Sequence, residues 1–266
     1  MLRNELSLMF RRRRLQALLA ALGLVPIAIM LAIRIGGSPD GGEGPAFFNQ
    51  VTNNGVFATL AALTVTLPIF LPMVVAVVAG DSIAGEANLG TLRYLLIRPI
   101  SRLRLLLTKA VATAVFCMAA TAVVATCGLI SGVVLFPVGR LTTLSGDTLS
   151  LPSGMVRVVG AAVLIGLSLL GLAAIGLFIS TLTDIPVGAM AATLGVFILV
   201  GVLNALPQVR AIHPWLFTQD WTSYGDLLRS HVQWGAITHN LLRQALYIVI
   251  FGSAAWARFT TKDVLA

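Results

Sequence analysis

The chain has 266 residues, of which 58% are hydrophobic and only 11% charged, and its mean hydropathy is +0.94. Soluble domains carry about 25% charged residues, so this composition excludes an ordinary soluble domain and places the chain in a bilayer. The net charge of +8 does not point to nucleic acid. No basic groove interleaved with aromatic residues is visible, and the placement of the cations explains the charge better as a topology signal.

Residues 1–14 come first. Leu2, Leu6, Met9 and Phe10 repeat as one helical stripe, with Arg3, Asn4, Glu5 and Ser7 largely off it, and Arg11 to Arg14 close the segment. The pattern predicts a short amphipathic helix in the membrane interface, ended by a cationic stop; a frayed basic tail is the alternative. A cleaved signal peptide fits less well, because the apolar run that follows is too long and holds Pro26.

Six apolar stretches follow: 15–33, 55–79, 110–136, 158–180, 185–206 and 241–257. The sequence therefore predicts an all-α integral membrane protein with six transmembrane helices and both termini on one side. In the second stretch Pro68 and Pro72 remove two amides four residues apart, which predicts a kinked or locally unwound helix. Such a break is tolerated against protein or a wet cavity, so both prolines are candidates for a transport path, with a plain packing kink as the alternative. The last stretch is the weakest, because Arg243 and Gln244 stand at its start, where they are expected to snorkel outward. Small residues four apart (Ala162/Gly166, Ala191/Gly195, Gly201/Ala205) suit close helix packing, either within the chain or at a dimer seam along the fifth stretch.

Cations fix the orientation. With the N-terminus inside, inner segments hold twelve Arg and Lys and outer segments six, so both termini are expected in the cytoplasm. The outer segment 207–240 is too long for a turn and holds Trp215, Trp221 and Trp234. Trp221, Tyr224 and Leu228 form a stripe that predicts short helices in the outer interface, acting as anchors or as an exit gate.

Several chemistries are missing from the sequence. No GxxxxGK[ST] occurs, so the chain does not bind ATP through a P-loop. No HExxH or Cys/His zinc spacing is found, and Cys117 and Cys127 read as buried apolar thiols. No span has a mid-membrane acid of the kind that ion-coupled transporters use. Neither an enzyme nor a self-powered transporter is expected. A pore-former of this kind needs an external motor, or is a passive channel or a structural subunit whose inner loop binds anionic lipid.

The inner stretch 81–104 reads either as a lever docked on a partner or as an ordinary basic loop held by lipid phosphates. Leu89, Leu92, Leu95 and Leu96 make an apolar stripe, opposite Glu86, Gly90 and Arg93. This predicts a short amphipathic helix across the cytoplasmic end, its polar face open to a soluble partner. Pro99 ends it, and Ser101 is placed to cap a new helix from Arg102 into the third span.

The order Glu86, Gly90-Thr91-Leu92, Leu95-Leu96, Pro99, Ser101-Arg102, Lys109 resembles the signature of ABC-2 type transporter permeases. Six spans, an N-terminal interfacial helix, a long Trp-bearing loop before the last span and a terminal Arg258-Phe259…Lys262-Asp263 extend the resemblance to the whole chain. The resemblance implies a single ABC-2 type transmembrane domain over residues 1–266 in the plasma membrane. It also implies a separate ATP-binding subunit that carries ATP and Mg, a second permease copy in a two-plus-two complex, and an extracellular helical hairpin at 207–240. Glu86, Asn88, Gly90, Thr91, Arg93 and Arg102 would then belong to the ATPase-coupling contact. The nearly uncharged spans suit an amphipathic or hydrophobic exported substrate such as a drug, antibiotic or lipid-like molecule.

Overall fold

The computed structural model describes residues 2–36, 51–52, 54–90, 101–139, 141–142, 148–229 and 231–261. Its helices are α1 (Leu2–Arg11), α2 (Arg13–Gly36), α3 (Phe57–Thr66), α4 (Phe70–Asn88), α5 (Arg102–Leu135), α6 (Leu151–Ser168), α7 (Leu170–Leu182), α8 (Pro186–Ala205) and α9 (Trp234–Thr261). Three 3-10 segments, Pro207–Val209, His213–Trp215 and Trp221–Leu228, lie between α8 and α9. Strands β1 (Leu141–Thr142) and β2 (Thr148–Leu149) form a two-residue antiparallel ladder; the other regular elements among the described residues are helical.

The protein is an all-α membrane protein. Among the described residues, five stretches are long and apolar enough to cross a bilayer: α2, α4, α5, the α6–α7 pair spanning Leu151–Leu182, and α8. The 28 residues of α9 are less apolar, since they include Asn240, Arg243, Gln244 and Arg258. The expected second and fourth spans are each divided. α3 stops at Thr66 and α4 starts at Phe70, whereas α6 gives way to α7 at Leu169.

Helices α2, α3 and α6 pack on α5, α4 packs on α7 and α8, and α7 packs on α9. One core runs through Leu22, Met30, Leu60, Leu71, Phe116, Ile165 and Leu172, and a smaller cluster around Ile83, Leu105, Leu177 and Phe259 closes one end. In lipid these contacts are won by close fit rather than by expelling water, and glycine is what allows the fit. A Cβ at Gly132 would collide with the Gly55 carbonyl, and one at Gly80 would stand 2.7 Å from Met190 N. The expected small-residue pairs divide. Gly166 packs inside the chain against Met118, whereas Gly195 and Gly201 have nothing within 4 Å of an added Cβ and lie on the outward face of α8.

Candidate functional site

Helices α1, α4, α5 and α9 meet at one end of the bundle, and charged side chains join them. Lys109, two turns into α5, is 4% exposed. Its ammonium donates to Glu5 Oε1 of α1 at 2.5 Å and to Glu86 Oε1 near the end of α4. Phe10 of α1 rests 6.5 Å from Phe116 of α5, ring centre to ring centre. Beside the cluster, Arg12 reaches Asp81 of α4 at 3.9 Å. A buried ammonium is tolerable only with such partners.

This geometry corrects the expected docking face. Glu86 does not open toward solvent on a separate amphipathic helix. It lies inside α4, 9% exposed, and is tied to Lys109. The physical reason is that the helix of the second span continues to Asn88, which turns Glu86 toward α5. Among the described members of the predicted set, Asn88 and Gly90 are exposed. Gly90 ends α4 with φ +67°, a left-handed cap that suits glycine, and its amide donates to Ala87 O at 3.0 Å. Thr91 and Arg93, with the rest of the predicted helix beyond Gly90, lie outside the described residues.

The predicted restart is present. The Ser101 hydroxyl accepts from Arg104 N at 3.3 Å and caps α5. Arg102 Nη1 then donates to Phe259 O at 3.0 Å and to Thr260 O at 2.9 Å, at the carbonyl-rich end of α9. Thus the segment between Gly90 and Ser101 is bounded by two capped helix ends. Those ends are tied through Lys109 to α1 and through Arg102 to α9.

Two irregularities lie along α4, above this joint. The first is the interruption at Leu67–Ile69. Pro68 is exposed at the break, while Pro72 is buried in the first turn of α4, where its missing amide would have had no helical partner. The expected loss of two hydrogen bonds from one continuous helix is therefore corrected to a single break at Pro68. Nearby carbonyls are served by side chains: Thr66 Oγ1 donates to Ala62 O at 2.8 Å and Thr64 Oγ1 to Leu60 O at 2.7 Å. The second is at Ser180 of α7. Its hydroxyl donates to Gly80 O at 2.7 Å and accepts from Ile83 N at 3.0 Å and Ala84 N at 2.9 Å. It thus bonds both a carbonyl and an amide that an α-helix pairs with each other, within an α4 that runs unbroken from Phe70 to Asn88, and a side chain bound there marks a site for bending.

The opposite end is closed by the 207–229 segment, whose short helices are of the 3-10 type, Pro207–Val209, His213–Trp215 and Trp221–Leu228, ahead of α9. The three tryptophans divide. Trp215 and Trp234 are exposed at 67% and 62%, as interface anchors would be, but Trp221 is 6% exposed and stacks on Phe197 at 6.1 Å. Tyr224 points inward too: its hydroxyl lies 2.7 Å from Thr64 Oγ1, just before the Pro68 break. Burial raises the Tyr224 phenol above its usual pKa, and the bond to Thr64 partly offsets that. Arg157 of α6 holds the end of this segment by donating to Leu227 O at 3.2 Å.

Beneath it is a buried polar network. Gln244 Oε1 accepts from Gly171 N at 3.1 Å, and its amide donates to Phe217 O at 2.8 Å and Asn240 Oδ1 at 3.0 Å. Asn240 Nδ2 donates to Ser168 Oγ at 2.7 Å. Gln244 is 2% exposed, so the expectation that it snorkels outward is corrected. The α6–α7 break leaves the Gly171 amide without a helical carbonyl, and Gln244 supplies the acceptor. Arg243 does face the segment's backbone, donating to Pro214 O and Gln219 O, each at 2.8 Å.

Sequence reasoning singles out Glu86 and Arg102, misses Glu5, Lys109 as a hub and Ser180, and aims Gln244 outward. The signal for Lys109 was its position: a lysine well inside an apolar helix needs a carboxylate nearby. Among the described residues no three His, Cys, Asp or Glu side chains converge as a metal site would require.

A family model described as a protein of unknown function (DUF2705) matches residues 39–265, which takes in every element from α3 to α9. The chain belongs to that family. No curated protein matches the sequence.

Proposed function

We propose that this member of the DUF2705 family is the membrane-spanning permease subunit of an ATP-driven exporter of the ABC-2 type. In this reading α2, α3–α4, α5, α6–α7, α8 and α9 make six spans, both termini face the cytoplasm, and the membrane is the plasma membrane. ATP and Mg bind a separate ATP-binding subunit. Two permease copies enclose a path for an amphipathic or hydrophobic substrate.

One observation carries the proposal. The ABC-2-like motif runs from Glu86 in α4 to Lys109 in α5, the capped ends of α4 and α5 flank its middle, and those ends are tied to α1 and α9. A load on that segment moves four helix ends as a unit. Along α4 the motion meets the Ser180 bridge and then the Pro68 break, where a packed helix can bend. Asn88, Gly90, Thr91 and Arg93 form the docking side of this joint, with Glu86 and Arg102 as its internal ties. Pro68 and Tyr224 lie where bending would reach the opposite end, and Pro72 sits in the first turn of the moving helix.

The test is a cross-link. An Arg93→Cys chain should join to an ATP-binding-cassette subunit in native membranes, and ATP should change the yield. If the Arg93→Cys chain cross-links only to itself or to lipid, with no ATP response, the result would point instead to a passive channel or structural subunit. Orientation is tested separately: cysteines introduced at Ser145 and His231 should react with an impermeant reagent applied outside.

A further inference from the structure

The corner between α1 and α2 carries four consecutive arginines. α1 ends at Arg11, Arg12 is the link, and α2 begins at Arg13. Arg11 to Arg14 are all exposed. Arg12 has Asp81 as a distant partner at 3.9 Å and keeps half of its side-chain surface open. Arg11, Arg13 and Arg14 have no ion-pair partner among the described residues. The nearby Glu5 is engaged by Lys109. The corner therefore holds a surplus of fixed positive charge.

Its depth is set by the chain itself. Leu15, the next residue, is 6% exposed, and the apolar run of α2 begins there. Arginines in the first turn of a membrane-crossing helix stand at the level of lipid phosphates. Beneath them is a cleft between α2 and α4. Its mouth is polar, with Arg12, Arg14, Asp81 and Ser82, the paired Glu5 and Lys109 lie at its α1–α5 side, and the rest of its wall is apolar, with Leu15, Leu18, Val77 and Val78. A guanidinium fork matches two phosphate oxygens. A cleft with cations at headgroup depth and an apolar wall below them has the two halves that a phospholipid requires.

We propose that the cleft between α2 and α4 binds one anionic phospholipid, its phosphate held by Arg12 and Arg14 and its acyl chain along Leu15, Leu18, Val77 and Val78. Charge selects the headgroup. Lys109 in the cleft wall is already held by Glu5 and Glu86, which leaves Arg11 to Arg14 with Asp81 alone; an anionic lipid neutralises that surplus and a zwitterionic one leaves it standing. The bound lipid spans α2 and α4 and so braces the joint beside Asp81.

The test is thermal unfolding of the intact protein in detergent as phosphatidylglycerol or phosphatidylcholine is titrated in. Phosphatidylglycerol should raise the unfolding temperature saturably and phosphatidylcholine should not. The double variant R12Q/R14Q should weaken the phosphatidylglycerol response about thirtyfold, from two cations near the surface. The variant R34Q, at the other end of α2, should titrate like the parent. Equal responses to the two lipids would overturn the proposal, as would an unchanged R12Q/R14Q. So would inorganic phosphate producing the same saturable shift, because the site would then belong to a free anion. Should R12Q/R14Q fail to fold, R12K/R14K replaces it: point charges without the fork should still prefer phosphatidylglycerol, but more weakly than the parent, and a preference as strong as the parent's would refute the assignment.

Discussion

Replacing Lys109 with methionine tests the joint at its centre. The lysine side chain is 5% exposed, Glu86 11% and Glu5 25%. Methionine fills much of the same volume but leaves two carboxylates facing one another with no cation between them. Removing one partner of a buried ion pair costs about 3–5 kcal/mol. The partial exposure of Glu5 puts this case at the lower end, about 3 kcal/mol, a sizeable share of the roughly 5–15 kcal/mol that holds a typical domain together. The triple variant E5Q/E86M/K109M removes the charges together and should recover to within about 1 kcal/mol of the parent, since apolar replacement of a whole buried cluster is close to neutral. Unfolding of the detergent-solubilised protein in graded denaturant would measure all three. An unperturbed K109M, or a triple variant as damaged as K109M, would refute the reasoning that these charges depend on one another.

Other substitutions probe the remaining elements, each read by the same unfolding assay. Gly90→Ala should cost about 1 kcal/mol, because a Cβ is disfavoured at a left-handed helix cap, even though the space around it is open. Gln244→Leu should cost about 1–3 kcal/mol for each group it orphans, the Gly171 amide and the Phe217 carbonyl first among them. Gly132→Val should separate α3 from α5 and lower stability by more than about 1–3 kcal/mol, since the obstruction is the Gly55 backbone rather than a movable side chain. Tyr224→Phe should cost only about 1 kcal/mol, as Thr64 keeps its bond to Leu60 O.

How much of this was legible in the sequence depended on whether a feature was local. The break at Pro68 and the cap at Ser101 were readable because a missing amide and an N-cap hydroxyl act on their own few residues. The Glu86–Lys109 tie spans 23 residues and depends on α4 and α5 converging, which a pattern of apolar spacing does not specify. Glu5 looked like a solvated residue off the apolar stripe of α1, yet α1 lies on α5 and turns it toward Lys109. Gln244 stands out as a polar residue in an apolar stretch, but apolar spacing does not give its direction. Asn240 one turn before it, on the same face, was the available hint. The Trp221, Tyr224 and Leu228 stripe was recognised, but its spacing does not reveal that the stripe packs into the bundle on α6 and α8 instead of resting in the interface.

The central claim is that an external ATPase drives this chain through the segment between α4 and α5. The most direct measurement is ATP hydrolysis by the chain isolated from its own membranes with its partners, compared with a Thr91→Trp variant. The account predicts vanadate-sensitive hydrolysis by a co-isolated P-loop subunit, lost or uncoupled in the variant while the helical bundle stays folded. Isolation of the folded chain with no ATP-binding subunit and no hydrolysis, or hydrolysis indifferent to Thr91→Trp, would contradict it.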